Sequence, residues 1–220
     1  VDRNGNLYPT HGLGPVSTML DINRGNRMLY LTSTATQSRG LKKYIVDKGG
    51  MNHPNSSVDF KCGDIVTTVI KCHQGQTIML SHDTNNPRPY SLNFRVQGTL
   101  GIWQKDARSL YIEGLSKEEH RWEKEDKYLE EFDHPLWKRF QDQAAGSGHG
   151  GMDFFIFRAF VEALKGAEPV IDVYDAVSMS VISPLSEKSI RLGSASVKIP
   201  DFTRGKWKKN KPIFGLNDQA

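Results

Sequence analysis

Cysteine is nearly absent: two residues, Cys62 and Cys72, among 220 give no disulfide framework. A chain of this length needs none, so the compartment (bacterial cytoplasm, periplasm or outside the cell) stays open. No apolar run approaches the roughly 20 residues that cross a bilayer, so no transmembrane helix is expected. Neither charge sign dominates: 29 Lys and Arg against 25 Asp and Glu give +4, too even for a chain whose main partner is nucleic acid. A G-x-S-x-G nucleophile elbow is missing, and Gly146-Ser147-Gly148 has neither that spacing nor a preceding strand. No C-x-x-C or H-x-x-x-H pair accompanies Cys62, Cys72, His73 and His82, so no metal is expected. Val1 leads into the polar stretch Asp2–Asn6, which is neither an initiator Met nor a signal peptide, and the expectation is a chain that starts inside a longer protein.

What is present, 37% hydrophobic and 25% charged residues, suffices for one ordinary core or two small ones. Thr10 is suited to cap a helix in which Val16, Met19, Leu20 and Asn23 follow at 3 to 4 spacing, with Asn23-Arg24-Gly25 as its stop. Residues 27 to 113 are rich in strand formers. Strands are expected at Arg27–Thr34, Ile65–Lys71, Thr77–Ser81, Ser91–Gln97 and Ser109–Ile112, joined by short links such as His73–Gln76 and Lys105–Ala107. Alternation along Asp64–Lys71 is imperfect, which points to a strand covered on both faces. The pattern is that of an α+β fold with an open, mainly antiparallel sheet covered by helices.

Residues 116 to 143 turn sharply to Glu, Asp, Lys and Arg with Trp122, Tyr128, Leu129, Phe132, Leu136 and Trp137 interspersed. A solvated helical face with an apolar stripe is expected, an acidic partner-binding arm being the lesser option. Ala145–Gly151 breaks the helix. A second helix runs from Met152 to Leu164 and ends at Gly166, and Asp172 with Asp175 can cap a third through Val177, Val181 and Leu185. Arg204–Lys211 reads as a basic, solvated tail. The chain is thus expected to be a single domain over 1–220, with its first helix at about 10–24 and the tail at about 203–220.

Three clusters carry candidate chemistry. In Tyr8-Pro9-Thr10-His11-Gly12-Leu13-Gly14-Pro15, Tyr8 and His11 lie three apart beside a helix N-terminus, whose positive end and free N–H groups favour a lowered Tyr pKa or a neutral imidazole, as proton transfer needs. The competing reading makes the glycines packing residues and His11 a cap. His82–Ser91 crowds polar side chains into a loop stiffened by two prolines, which suits a sugar or an ordinary surface hairpin. Gly148–Asp153 places His149 and Asp153 at a helix start, facing one cleft with His11 or serving only as a turn; it has no G-x-G-x-x-G spacing and no Walker lysine.

These three segments together resemble glycoside hydrolase family 109, a branch of the Gfo/Idh/MocA oxidoreductase superfamily. The similarity spans nearly the whole chain and includes Asp175–Ile190 and Val197–Phe202. The resemblance implies a C-terminal domain of an NAD-dependent, α-N-acetylgalactosaminidase-like enzyme. The implied reaction is redox-neutral: oxidation at C3, proton loss at C2, departure of the aglycone, addition of water and return of the hydride. It implies proton transfer by Tyr8 and His11, Pro9 and Thr10 lining the same site, and Tyr90 on the sugar. His149 and Asp153 are added from the loop chemistry. Homo-oligomers through the sheet are also implied.

The sequence departs from that family by having no Rossmann fingerprint and no Glu-Lys-Pro segment. The isolated chain is therefore not expected to hold NAD tightly, the cofactor being bound mainly by an absent domain, and whether it is an enzyme alone is open. Two alternatives stand beside the glycosidase: a domain of an NAD(P)-dependent sugar dehydrogenase of the same superfamily, or a non-enzymatic carbohydrate-binding or assembly module.

Overall fold

The computed structural model describes residues 1–213. In chain order the elements are α1 (Thr10–Met19), β1 (Met28–Ala35), α2 (Gly40–Gly49), β2 (Ile65–Cys72) and β3 (Thr77–Asp83), then β4 (Arg95–Gly98), β5 (Gly101–Gln104), β6 (Ser109–Ile112) and β7 (Glu123–Lys124). The helices α3 (Asp126–Phe132), α4 (Pro135–Ala144), α5 (Met152–Leu164), α6 (Val173–Ser180) and α7 (Ile182–Arg191) follow, and β8 (Val197–Lys198) closes the sequence of elements. They form two compact units, one made of Val1–Arg88 with residues 171–213, the other of Pro89–Val170. Each unit holds its own four-stranded antiparallel sheet, so the expected α+β class is observed.

The first unit is a sheet in the order β3-β2-β1-β8 with helices on one face. Burial along β2 alternates cleanly: Val66, Thr68, Ile70 and Cys72 are buried, whereas Val69 is 37% exposed. The expectation of a strand covered on both faces is therefore corrected. A strand with helices on one face only has period-two burial whatever the polarity of its outward residues. The core joins Leu13, Leu31, Ile70, Ile78, Leu80 and Ile182. Burial pushes the Cys72 thiol up to about 11, as befits an inert core residue.

Two polar ties fix the helices on this sheet. Arg24 donates to both carboxylate oxygens of Asp175 at 2.8 and 2.7 Å, linking the turn after α1 to α6. The Ser33 backbone N–H donates to Ser189 Oγ on α7 at 2.8 Å. The first helix stops at Met19 rather than at about residue 24, because Asp21 and Asn23 take left-handed conformations (φ 52° and 66°) that no helix continues.

The single helix expected from Asp172 through Leu185 is two, α6 and α7, parted at Val181 and with Pro184 in the first turn of the second, where a missing N–H costs nothing. Its capping box is present, Asp172 and Asp175 each accepting the other's backbone N–H. The basic tail is not solvated throughout. Trp207 and Thr203 are buried, Trp207 Nε1 donates to Asp201 Oδ2 at 3.1 Å, and Asn210 donates to the Asn23 carbonyl. An indole with a reachable carboxylate gains more by docking than by hydration. Residues 214–220 of that expected tail lie outside the described residues.

In the second unit, the charged stretch 116–143 is not one helix. Glu123–Lys124 pairs with β6, and α3 and α4 are parted at His134, held extended (ψ 134°) by Pro135. The strand expected at Ser91–Gln97 begins only at Arg95, since Asn93 sits at φ 47°.

Candidate functional site

Tyr8 and His11 meet. The Tyr8 hydroxyl lies 3.4 Å from His11 Nε2 and the rings approach to 4.4 Å between centroids. Both side chains are exposed, Tyr8 by 60%. The separation is long for an O–H···N bond. The pair stands at the head of α1, where the backbone cap is Pro9 and no side chain caps the helix. Thr10 is thus the first helical residue and not the cap: Pro9 already has helical dihedrals (φ −74°, ψ −27°), so the helix opens one residue earlier than a hydroxyl cap would set it. His11 is no cap either, which removes the competing reading of that residue. The N-terminal N–H groups of α1 remain free of side chains and aim their positive end at the Tyr8–His11 turn.

Close packing holds the turn in place. A Cβ at Gly12 would lie 2.5 Å from Leu80 Cδ1, so the helix rests directly on β3. Upstream, buried Asn6 donates to the Leu80 carbonyl at 3.4 Å, and its backbone N–H donates to Ser186 Oγ at 2.8 Å. Pro15 sits inside α1 and cannot donate to the His11 carbonyl, leaving that carbonyl without its usual helical partner.

The other candidate residues belong to different places. His82 and Asp83 are the end of β3 rather than a loop. His82 is half-buried, its Nδ1 finds no partner among the described residues, and burial, opposed by Asp83, pulls its pKa down. Tyr90 is 89% exposed at the start of the second unit. Also in that unit, His149 Nδ1 and Asp153 Oδ1 lie 2.9 Å apart, and three successive residues, His149, Gly150 and Gly151, are left-handed (φ 53°, 68° and 102°). That turn follows α4, a helix, and a Cβ at Gly148 would lie 2.2 Å from Asp153 Oδ2. A carboxylate closes the space that a pyrophosphate would need, so these glycines do not fit a dinucleotide.

Among the described residues no group of three or more His, Cys, Asp or Glu is gathered as a metal site would require. No helix among them is long and apolar enough to cross a membrane.

Residues 1–209 match the family described as glycosyl hydrolase 109, C-terminal domain. The chain is 54% identical over 217 residues to a glycosyl hydrolase family 109 protein of Parabacteroides distasonis, and equally to an alpha-N-acetylgalactosaminidase of Tannerella forsythia. Each match takes in 98% of this chain and 46% of the relative. An alpha-N-acetylgalactosaminidase of Shewanella oneidensis is 43% identical over 96% of this chain and 47% of its own length. The chain thus spans a little under half the length of these relatives, and by that match it belongs to glycosyl hydrolase family 109 as a C-terminal domain.

Proposed function

We propose that this chain is the substrate-binding domain of a glycosidase acting on α-N-acetylgalactosaminides or related glycosides, with proton transfer by Tyr8 and His11. The observation that supports this most is the exposed phenol–imidazole pair at 3.4 Å on a helix start that no side chain caps. A phenol and an imidazole in one proton relay can deliver a proton to one substrate atom and remove it from another, which a cap or packing turn has no need to do. Pro9 and Thr10 belong to the same turn, and within the second unit Tyr90, His149 and Asp153 are proposed as sugar-contacting residues of that unit.

NAD is proposed as the cofactor of the whole enzyme, bound mainly by residues beyond this chain. When bound, it would supply reversible oxidation of the sugar. The part played by the present residues is to hold the sugar and to manage its protons. We also propose that the domain self-associates through the outer face of its first sheet, where Met79 on β3 is 75% and its partner on β2, Val69, 37% exposed. Exposed apolar side chains in register across neighbouring strands form the kind of surface that pairs.

The test uses the full-length protein with p-nitrophenyl α-N-acetylgalactosaminide. Release of p-nitrophenol with no net accumulation of NADH is expected. Stoichiometric NADH would instead assign the domain to a sugar dehydrogenase, and binding of the sugar without turnover would leave a carbohydrate-binding module.

A further inference from the structure

The edge strand β3 continues past the point where α1 rests on it, and its last inward-facing residue is His82. Asn26 Nδ2 donates both to the carbonyl of Leu20, just after α1, and to Oε1 of Gln76, just before β3. Gly12, near the other end of the helix, lies against Leu80. The helix and the strand therefore run antiparallel. From Gly12 to Leu20 the helix rises about 12 Å, and from Gln76 to Leu80 the strand spans about 13 Å, so the two keep step.

The Tyr8–His11 turn is anchored on Leu80 at both ends, Asn6 donating to the Leu80 carbonyl and Gly12 resting on the Leu80 side chain, and His82 lies about 7 Å beyond Leu80 along the strand. Because side chains alternate along a strand, His82 shares the inward face of Ile78 and Leu80, both of which are buried, and it pairs across the sheet with buried Val66. His82 is thus the next inward-facing position beyond the residue that anchors the Tyr8–His11 turn. Among the described residues, Nδ1 of His82 is buried without a hydrogen-bond partner, although buried polar groups are paired in the great majority of cases.

We infer that His82 is a third residue of the Tyr8–His11 site, an imidazole at the end of β3 that hydrogen-bonds a polar substituent of the bound sugar and so orients it. This rests on the glycosidase reading. The half-buried ring is held neutral by its surroundings, so it offers one donor and one acceptor without competing for the transferred proton.

The experiment follows the histidine ring signals of the full-length protein by NMR during titration with N-acetylgalactosamine, the His82 signal being assigned by its loss in His82→Gln. Saturable shifts of both the His11 and the His82 rings are expected. A shift of His11 with His82 unmoved overturns the inference and leaves the glycosidase reading intact, while no shift of either overturns both. Kinetics add a second arm. His82→Leu, which fills the space without hydrogen bonding, is expected to raise KM roughly 5- to 10-fold with a smaller change in kcat, and His82→Gln to recover part of the loss. A lowered melting temperature with KM and kcat both unchanged would make His82 a core residue and overturn the inference.

Discussion

At the scale of single residues, Tyr8 and His11 are exposed and cap nothing, so their replacement separates chemistry from stability. In the full-length enzyme, Tyr8→Phe and His11→Ala are each expected to lower kcat by roughly 10²-fold or more, the scale for a positioned acid or base, with the melting temperature hardly moved. Near-normal turnover in both variants would return the turn to a packing role. The opposite behaviour is expected at Gly63, where a Cβ would lie 2.4 Å from the Thr36 carbonyl oxygen. Backbone cannot move aside as a side-chain end does, so Gly63→Ala is expected to cost about 1–3 kcal/mol in denaturant unfolding. The Tyr8–Pro15 motif was legible because its chemistry is local. The partnerless nitrogen of His82 was not, since its surroundings come from chain segments far apart in sequence.

At the scale of elements, the places where local reading failed share a cause. The helix α2 announces itself by no cap of its own: its N-terminal donors, the N–H groups of Arg39 and Gly40, are accepted by Asp64, 24 or more residues away. The Asp172–Asp175 box was visible because both halves lie within one turn. Asp172→Ala is expected to lose that cap at about 1 kcal/mol. Asp175→Ala should cost more, about 3–5 kcal/mol, because it also strands the Arg24 guanidinium, only 10% exposed. Urea unfolding of the two variants gives that order, and equal losses would show that the ion pair contributes nothing.

The same pairing sets a response to acid. Burial pushes the Asp175 carboxyl up, but hydrogen bonds from Arg24, Asn23 and the Asp172 backbone outweigh it and hold the group below its ordinary range. Asp201 is likewise lowered, by Thr203, the Gly205 backbone, Arg27 and Trp207 against burial. Carboxylates depressed in the folded state bind fewer protons than in the unfolded chain, so their contribution is whole above the ordinary carboxylate pKa and fades as pH falls through their own. Melting temperature is expected to decline below pH of about 4, and less steeply in Asp175→Asn, whose residue 175 no longer titrates.

At the scale of the whole molecule, self-association through the outer sheet face is checked by light scattering. Oligomers are expected, and Met79→Glu, which sets a charge at a 75% exposed position, is expected to yield monomers. A wild type that stays monomeric at high concentration would sink the proposal. Titration calorimetry of the 220-residue chain with NAD is expected to show no saturable micromolar binding, and tight binding would reverse the assignment of the cofactor to residues elsewhere. The interleaving of the two units has a further consequence, for synthesis. Strands β1 to β3 leave the ribosome early, but α7, which covers their inner face with fully buried Ile182, follows only after all of Pro89–Val170 has been made. At about 5–20 residues per second, the nascent sheet waits several seconds with only α1 on its apolar side and the part that α7 covers still open. During that interval a chaperone binds the chain or the chain finds another sheet, and a ribosome stalled before Ile171 releases a protein whose oily face is never closed.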